Sequence, residues 1–428
     1  MIRFVSTFLA HSSADADLVE AVAQELGRRG VFAWLAKDEL KIGARLSQSL
    51  SQSVTEQATL CAFLSETAIH SDWFEKELVA AMQRDPTENA NSLILPVFLG
   101  DPLAMVAAKP ILNRWLDQKG KSIDIKGIQT DAETPSDVKA ARIAEQIADS
   151  VFQLQQVSKA PEILINLDQR GSTRRGLPEA VPDNHRHIVG PALLFRPRRG
   201  QSHPMETIVG DEWASLSRTI SSALDNALEG RRWSSPKNIY ISGRMQYSLA
   251  WLIGRHFSRK SSATLYCADV HGNRFDNEDW PRTTPLPDGN AHCESNTAIE
   301  DIPAIPRSPF NEAIIILSTE YYAKRSLRYL KEAHAEKPIA WIRTPDKLNS
   351  SDELRALAAD FSALAQRLDV ENGCRHGYLI LSLPVIAVTL LAAHSPYLLS
   401  RFTLLEYRGD LEPESAIADT YAELRLLD

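Results

Sequence analysis

From Phe4 to about Val157, short apolar runs alternate with amphipathic stretches. FVSTFLA reads as a strand, DADLVEAVAQELGRRG as a helix with Gly30 near its C-terminal stop, and VFAWLA as the next strand. ARLSQSLSQSV then reads as a helix, ATLCAFLS as a strand, DWFEKELVAAMQR as a helix and SLILPVFLG as a strand. DVKAARIAEQIADSVFQLQQV closes the unit as a helix. Strands that alternate with helices imply a parallel sheet covered on both faces, with sites at the carboxyl ends of its strands. That places His11 to Ser13, the Ala36 to Gly43 loop and Ser65 along one rim.

Ser158 to about Asp183 is richer in Pro, Gly and charge and reads as an irregular connection. A second α/β pattern follows it. PALLFRP, the helix DEWASLSRTISSALDNALEG, the strand KNIYISG and the helix MQYSLAWLIGRHF come first, then a loop-rich stretch from Gly272 to Pro309. EAIIILS, a helix around RSLRYLKEAH, PIAWIRT, DELRALAADFSALAQRL and a last strand–helix pair complete it. Two similar half-units of strand, loop and helix are suggested, without a repeat strong enough to prove them.

The length of 428 residues suggests two or three domains, each able to bury its own core. With 44% apolar and 24% charged residues and a formal charge of -8, the composition is that of a soluble globular protein. It is not that of a general nucleic-acid binder, so double-stranded DNA is not an expected partner, and any anionic ligand must be met locally. Cys61, Cys267, Cys293 and Cys374 are scattered, which gives neither a CxxC metal pair nor a disulfide framework and fits a reducing cytoplasm. The N-terminus makes a poor signal peptide. Tyr378 to Ser400 lacks Asp, Glu, Lys and Arg and is long enough to span a bilayer. Pro384 argues instead for a strand, GYLILSL, handing over to a buried helix, PVIAVTLLAAH.

In DWFEKELVAAM, Phe74, Leu78, Ala81 and Met82 form a core-facing helical stripe. Asp72 and Glu75 have the spacing of a near capping box. Glu77 lies one position round, on the flank shared with Trp73, and spacing alone leaves it open as a solvated helix face or a functional carboxylate. His11, Ser12 and Ser13 are open in the same way, between nucleotide contacts and a helix cap. Trp34 reads as core rather than base-stacking, and Gly43 as a turn residue.

FLAHSSADADL, FAWLAKDELKIGARLSQSL and LCAFLSETAIHSDWFEKEL resemble, in order, the three signatures of the TIR domain, a flavodoxin-like parallel-sheet fold. The resemblance covers Met1 to Leu99 and implies a domain at 1–157. In enzymatic TIR domains the glutamate of the last motif splits NAD between nicotinamide and ribose; that position is Glu77 here, with Trp73 as the motif's aromatic. The implied substrate contacts are Trp73, His11, Ser12, Ser13, Gly43 and Ser65. Ala10 and Ala36 depart from the family's usual Ser and acid.

KNIYISGRMQYSLAWLIGRHF runs from a strand ending in Ser242-Gly243-Arg244 into a helix, which brings backbone N–H groups, a helix N-terminus and a guanidinium together as a possible anion site. The alternative is a tight turn with Arg244 in solvent. No P-loop or GxGxxG occurs in it. With IIILSTEYY, GYLILSLPVIAVTLLAAHS, FTLLEYRGD and Tyr421, it resembles the SAVED domain, two fused CARF-like (Rossmann-like) halves that bind cyclic oligonucleotides in bacterial CBASS antiphage systems. The resemblance implies a linker at 158–182 and a SAVED domain at 183–428. It also implies ligand contacts from Ser242, Gly243, Arg244, Ser318, Thr319, Leu383 and Pro384, and ligand-driven head-to-tail assembly into a homo-oligomer or filament that switches on NAD cleavage.

A cyclic tri-adenylate is the leading activator under that reading, NAD+ is the substrate, and neither a cofactor nor a metal is expected. FRPRRG, with Arg196, Arg198 and Arg199, reads as a solvated loop. Two further readings stay open: a C-terminal half that binds a protein partner such as a short Argonaute, and a non-enzymatic TIR scaffold.

Overall fold

The computed structural model describes residues 3–35, 59–83, 94–115, 127–130, 134–169, 190–197, 208–228, 237–258, 263–268, 274–278, 280, 308–345, 347–394, 402–407 and 421–425. Within them the chain forms three parallel-dominated α/β sheets.

The N-terminal unit holds strands β2 (Ser6–Ala10), β3 (Phe32–Trp34), β4 (Leu60–Leu64), β5 (Ile94–Phe98) and β6 (Ile128–Gln129) in the order β3-β2-β4-β5-β6, all parallel. This is the flavodoxin-like order. Neighbouring strands on either side of β2 connect in opposite directions, so the crevice between the ends of β2 and β4 is the topological switch point. Helices α1 (Ala16–Arg28) and α5 (Ser136–Leu154) share one apolar cluster with one face of the sheet. On the other face Phe74 and Leu78 of α3 (Asp72–Gln83) pack with Phe8, Ala10, Trp34 and Leu64, beside the short helices α2 (Glu66–Ile69) and α4 (Pro102–Ala108). Trp34 is core, as its sequence context suggests, stacked on Phe8 at 5.1 Å.

The expected first strand, 4–10, is divided. Arg3–Phe4 (β1) pairs with Pro191–Phe195 (β8) of a second sheet, while Ser6–Ala10 belongs to the first. Val5 is the pivot: its N–H donates to the Ala192 carbonyl at 2.8 Å, and its carbonyl accepts from Phe32 N–H at 2.8 Å. A fully buried residue thus completes both sheets at once. The junction is extended by Leu194 N–H to the Gly30 carbonyl at 2.9 Å and Arg196 N–H to the Gly27 carbonyl at 2.7 Å, with the Arg196 guanidinium over the Phe32 ring. Arg196 is therefore not the solvated loop residue expected; Arg198 and Arg199 lie outside the described residues.

The second sheet has the order β1-β8-β7-β9-β10-β11, with β7 Glu162–Asp168, β9 Lys237–Arg244, β10 Ala263–Ala268 and β11 Arg274–Asp276. β7 corrects the reading of 158–182 as an irregular linker, because all seven of its residues are buried and it pairs in parallel with both β8 and β9. A central strand buried on both faces shows no alternation to detect, and here its apolar run is short and flanked by acids.

The third sheet runs β13-β12-β14-β15-β16, with β12 Glu312–Ser318, β13 Ile339–Arg343, β14 His376–Leu381, β15 Phe402–Tyr407 and β16 Tyr421–Arg425. Number the strands of each half by their appearance, from β7 and from β12, and both sheets read 2-1-3-4-5 with only the last strand antiparallel. The half-units are a structural duplication. Setting the start of α7 (Tyr247–Ser258) on the start of α10 (Val385–His394) aligns Tyr240 with Tyr378 and Gly254 with Ala392. Through the strand registers it also aligns Asn166 with Ile316 and Asp168 with Ser318.

α7 and α10 pack against each other along the pseudo-twofold between the halves. A Cβ at Gly254 would lie 2.1 Å from the Thr389 carbonyl and 2.7 Å from Ala392 Cβ, so the two smallest side chains set the crossing distance. α10 is ten residues long, its middle is buried, and it follows Pro384, as expected of a core helix. Among the described residues no helix is long and apolar enough to cross a membrane. α6 (Gly210–Leu228) and α9 (Ser351–Val370) are counterparts, and α8 (Glu320–Ala333) covers the outer face of the third sheet.

Candidate functional site

Two rims hold most of the site residues expected from the sequence. At the N-terminal switch point, Ser12 follows β2 and Ser65 follows β4, and both donate to one oxygen of Asp15, at 2.5 and 2.6 Å. Thr67 Oγ1 lies 2.9 Å from Ser12 Oγ and 3.0 Å from Ser65 Oγ, and Ser65 Oγ caps α2 by accepting from Ala68 N–H at 3.1 Å. These hydroxyls stitch the crevice walls together around Asp15, the hub that pattern reading passed over. His11 Nδ1 sits 2.9 Å from the Leu9 carbonyl, and Ser13 is the exposed hydroxyl of the three-residue run.

In α3 the two glutamates part. Ser71, not Asp72, caps the helix, its hydroxyl accepting from Phe74 N–H at 3.3 Å, and Glu75 instead pairs with Lys109 Nζ at 2.7 Å. The capping-box reading of Asp72 and Glu75 is thereby corrected. Glu77 is only 5% exposed, which rules out the solvated-face alternative. A glutamate is rarely buried to this degree without a specific partner or task. Its stripe neighbours Phe74, Leu78 and Ala81 are buried as expected. The Trp73 side chain and all of Gly43 lie outside the described residues.

The second rim is where the duplicated halves meet. Ser242, Gly243 and Arg244 end β9 beside Asp168 and Gln169 at the end of β7; Ser318 and Thr319 end β12; Leu383 and Pro384 lead into α10. The halves are joined directly by Tyr247 Oη, which donates to the Leu383 carbonyl at 2.8 Å.

Gly243 has φ +134°, and a Cβ there would fall 1.9 Å from the Leu167 carbonyl oxygen, so only glycine fits. The Ser242 hydroxyl is buried and accepts from Asn166 Nδ2 at 2.9 Å, and the Ser318 hydroxyl donates to the Thr319 carbonyl at 3.0 Å. Both serines shape the rim rather than present a free hydroxyl to it. Gln246 exchanges hydrogen bonds with Gln169 and Ile208, which fixes the strand-to-helix turn.

The N-terminus of α7, expected to be open to an anion, is filled by the chain itself. Tyr247 N–H and Ser248 N–H each donate to the Glu406 carboxylate at 2.8 Å. Glu406 comes from β15 of the other half and is 4% exposed; burial pushes its carboxyl up to about 7, partly offset by those two backbone donors. The same burial, with the nearby Glu406 charge, raises the Tyr247 hydroxyl. A buried acid within FTLLEY and an acid at the end of an unnoticed strand, Asp168, carry no local signal, since their partners come from distant elements. Among the described residues no group of His, Cys, Asp and Glu is placed to hold a metal ion.

Residues 7–133 match the family described as TIR domain. No curated protein matches the chain. The Cap4 SAVED/CARF-domain containing receptor of Acinetobacter baumannii with the cyclic trinucleotide 3'3'3'-cAAA is similar at a TM-score of 0.42 and 11% identity, over 98% of this chain and 79% of that one. The same receptor with 2'3'3'-cAAA gives 0.40 and 12%, over the same shares. The TIR-STING receptor from C. gigas in complex with 2',3'-cGAMP gives 0.26 and 11%, over 56% of this chain and 90% of that one. The matched family model lies in the N-terminal part of the chain, where the sequence suggests a TIR domain.

Proposed function

We propose that the chain is a ligand-gated NAD+ glycohydrolase, its N-terminal TIR domain cleaving NAD+ to nicotinamide and ADP-ribose when a cyclic oligonucleotide binds the C-terminal region. The observation that carries the enzymatic half is the burial of Glu77 in the TIR domain. Cleavage breaks the bond from ribose C1′ to the pyridinium nitrogen, whose electron pair returns to the ring, so nicotinamide leaves neutral and needs no acid. Positive charge develops on the ribose, and a desolvated carboxylate stabilises it far better than a hydrated one. Water then adds to C1′ and loses a proton. Ser13 and His11, at the same switch point, are the proposed substrate contacts on this side, with the Asp15 cluster tying together the walls of the crevice between β2 and β4.

The regulatory half rests on the duplication. Each half presents the carboxyl ends of a doubly wound sheet, where nucleotides bind, and the two rims adjoin at Tyr247 and Leu383. A ligand of repeated nucleotide units closed into a ring suits two such rims side by side. Arg244 and Thr319 are the contacts left available there by the hydrogen bonding. Signal passes to the TIR domain through the Val5 junction, and assembly of several chains completes the NAD+ site. Purified protein is expected to consume NAD+ only with a cyclic di-, tri- or tetranucleotide present. Turnover without ligand would refute the gating; none with any ring in the panel would refute the enzyme assignment.

A further inference from the structure

A pair of charged residues stands at the rim of the first half. Asp168 and Arg244 face each other in register across β7 and β9. Asp168 is 5% exposed, and its Oδ2 is buried without a hydrogen bond; the Arg244 Nε is buried without one as well. Among the described residues they form no ion pair with each other. Their surroundings are otherwise satisfied: Asn166 is bonded to Ser242, Gln169 to Gln246, and the Arg244 carbonyl accepts from Gln169 N–H at 3.0 Å. A buried carboxylate oxygen left unpaired is costly, and an unsatisfied polar atom in an otherwise complete network calls for a specific explanation. The counterparts in the second half are Ser318 and Ser382, both neutral.

An orphan acceptor beside an orphan donor is complementary to a ligand that presents a donor and an anion at the same spacing. A nucleotide with an amino base does so. We propose that Asp168 and Arg244 are the base-reading element of the C-terminal site, Asp168 accepting from the exocyclic amine of the base and Arg244 donating to that nucleotide's phosphate. Carboxylates accept well from base amines, whereas a base with a carbonyl in that place sets two acceptors against each other. Since a site built to hydrogen-bond a ligand N–H rejects the analogue that lacks it, Asp168 is a specificity-determining residue. This inference rests on the cyclic-oligonucleotide reading of the C-terminal region and goes beyond it in naming the base chemistry.

The test is calorimetric titration of the full chain with cyclic di-, tri- and tetra-adenylate and with the same rings built from inosine, which carries a carbonyl where adenine has its amine. Wild type should favour the adenosine ring by about 10- to 100-fold, the range for one good base contact. Asp168→Asn, whose carboxamide donates to that carbonyl, should remove or reverse the preference. Arg244→Gln should weaken both rings together and keep their ratio. Equal loss of both rings in Asp168→Asn, or an unchanged ratio, overturns the base-reading role. Failure of every ring to bind wild type overturns the underlying reading and this inference with it. Unfolding curves of both variants separate lost recognition from lost fold.

Discussion

The two halves of the C-terminal region share a strand order, an antiparallel last strand and a helix that packs on the pseudo-twofold, yet they fill equivalent positions differently. Where the first half buries Asn166 against Ser242, the second has Ile316 and Ile380; where the first places Asp168 and Arg244, the second has Ser318 and Ser382; and Gly243 corresponds to Leu381. Matched positions of the two sheets thus carry a polar set in one half and a mainly apolar one in the other. The first rim carries its charges, Asp168 and Arg244, at the ends of β7 and β9, whereas the second carries Arg343 at the end of β13 and Glu320 at the start of α8. The second half contributes instead a pair of tyrosines, Tyr321 and Tyr322, exposed at the start of α8, and the carboxylate that closes α7.

Substitutions at these positions test how far the two halves differ. The largest effect belongs to Gly243→Ala, where positive φ and the Leu167 carbonyl both oppose a Cβ; a loss of about 3 kcal/mol or more is expected in denaturant unfolding. Gly254→Ala, which drives a Cβ into the Thr389 carbonyl at the helix crossing, should cost about 1–3 kcal/mol and loosen the contact between the halves. Ser242→Ala should cost about 1–2 kcal/mol by orphaning Asn166, whereas adding Asn166→Leu, which makes the first half resemble the second, should recover most of the loss. A double variant no better than the single one would mean that the polar pair has a structural task the duplication does not reveal.

A pH-dependent effect concerns Glu406. Its carboxyl titrates higher when folded, at about 7, than its ordinary 4.5. Its contribution to stability is therefore fully present below its ordinary pKa and declines as pH rises through about 7. Glu406→Gln should flatten stability against pH in that window, measured by thermal unfolding at fixed pH steps.

Much of this was legible in the sequence where periodicity is strong. The alternation from FVSTFLA to SLILPVFLG marks the N-terminal sheet, and Pro384 marks the hand-over from β14 to α10. Illegible were features whose cause lies far along the chain. The division of the first strand at Val5 depends on Ala192, and the closure of α7 depends on Glu406, 158 residues from Ser248. β7 escaped notice because burial on both faces removes alternation. Spacing puts Glu77 off the core stripe but cannot tell a buried carboxylate from a solvated one. Burial was the missing term.

The most direct test of the central claim is NAD+ consumption by the full chain with the cyclic nucleotide panel, wild type against Glu77→Gln, with ligand binding followed in the same samples. A loss of about 10²- to 10³-fold in rate, as for removal of comparable electrostatic groups, with ligand affinity unchanged, is the predicted result. Undiminished NAD+ consumption by Glu77→Gln would contradict it.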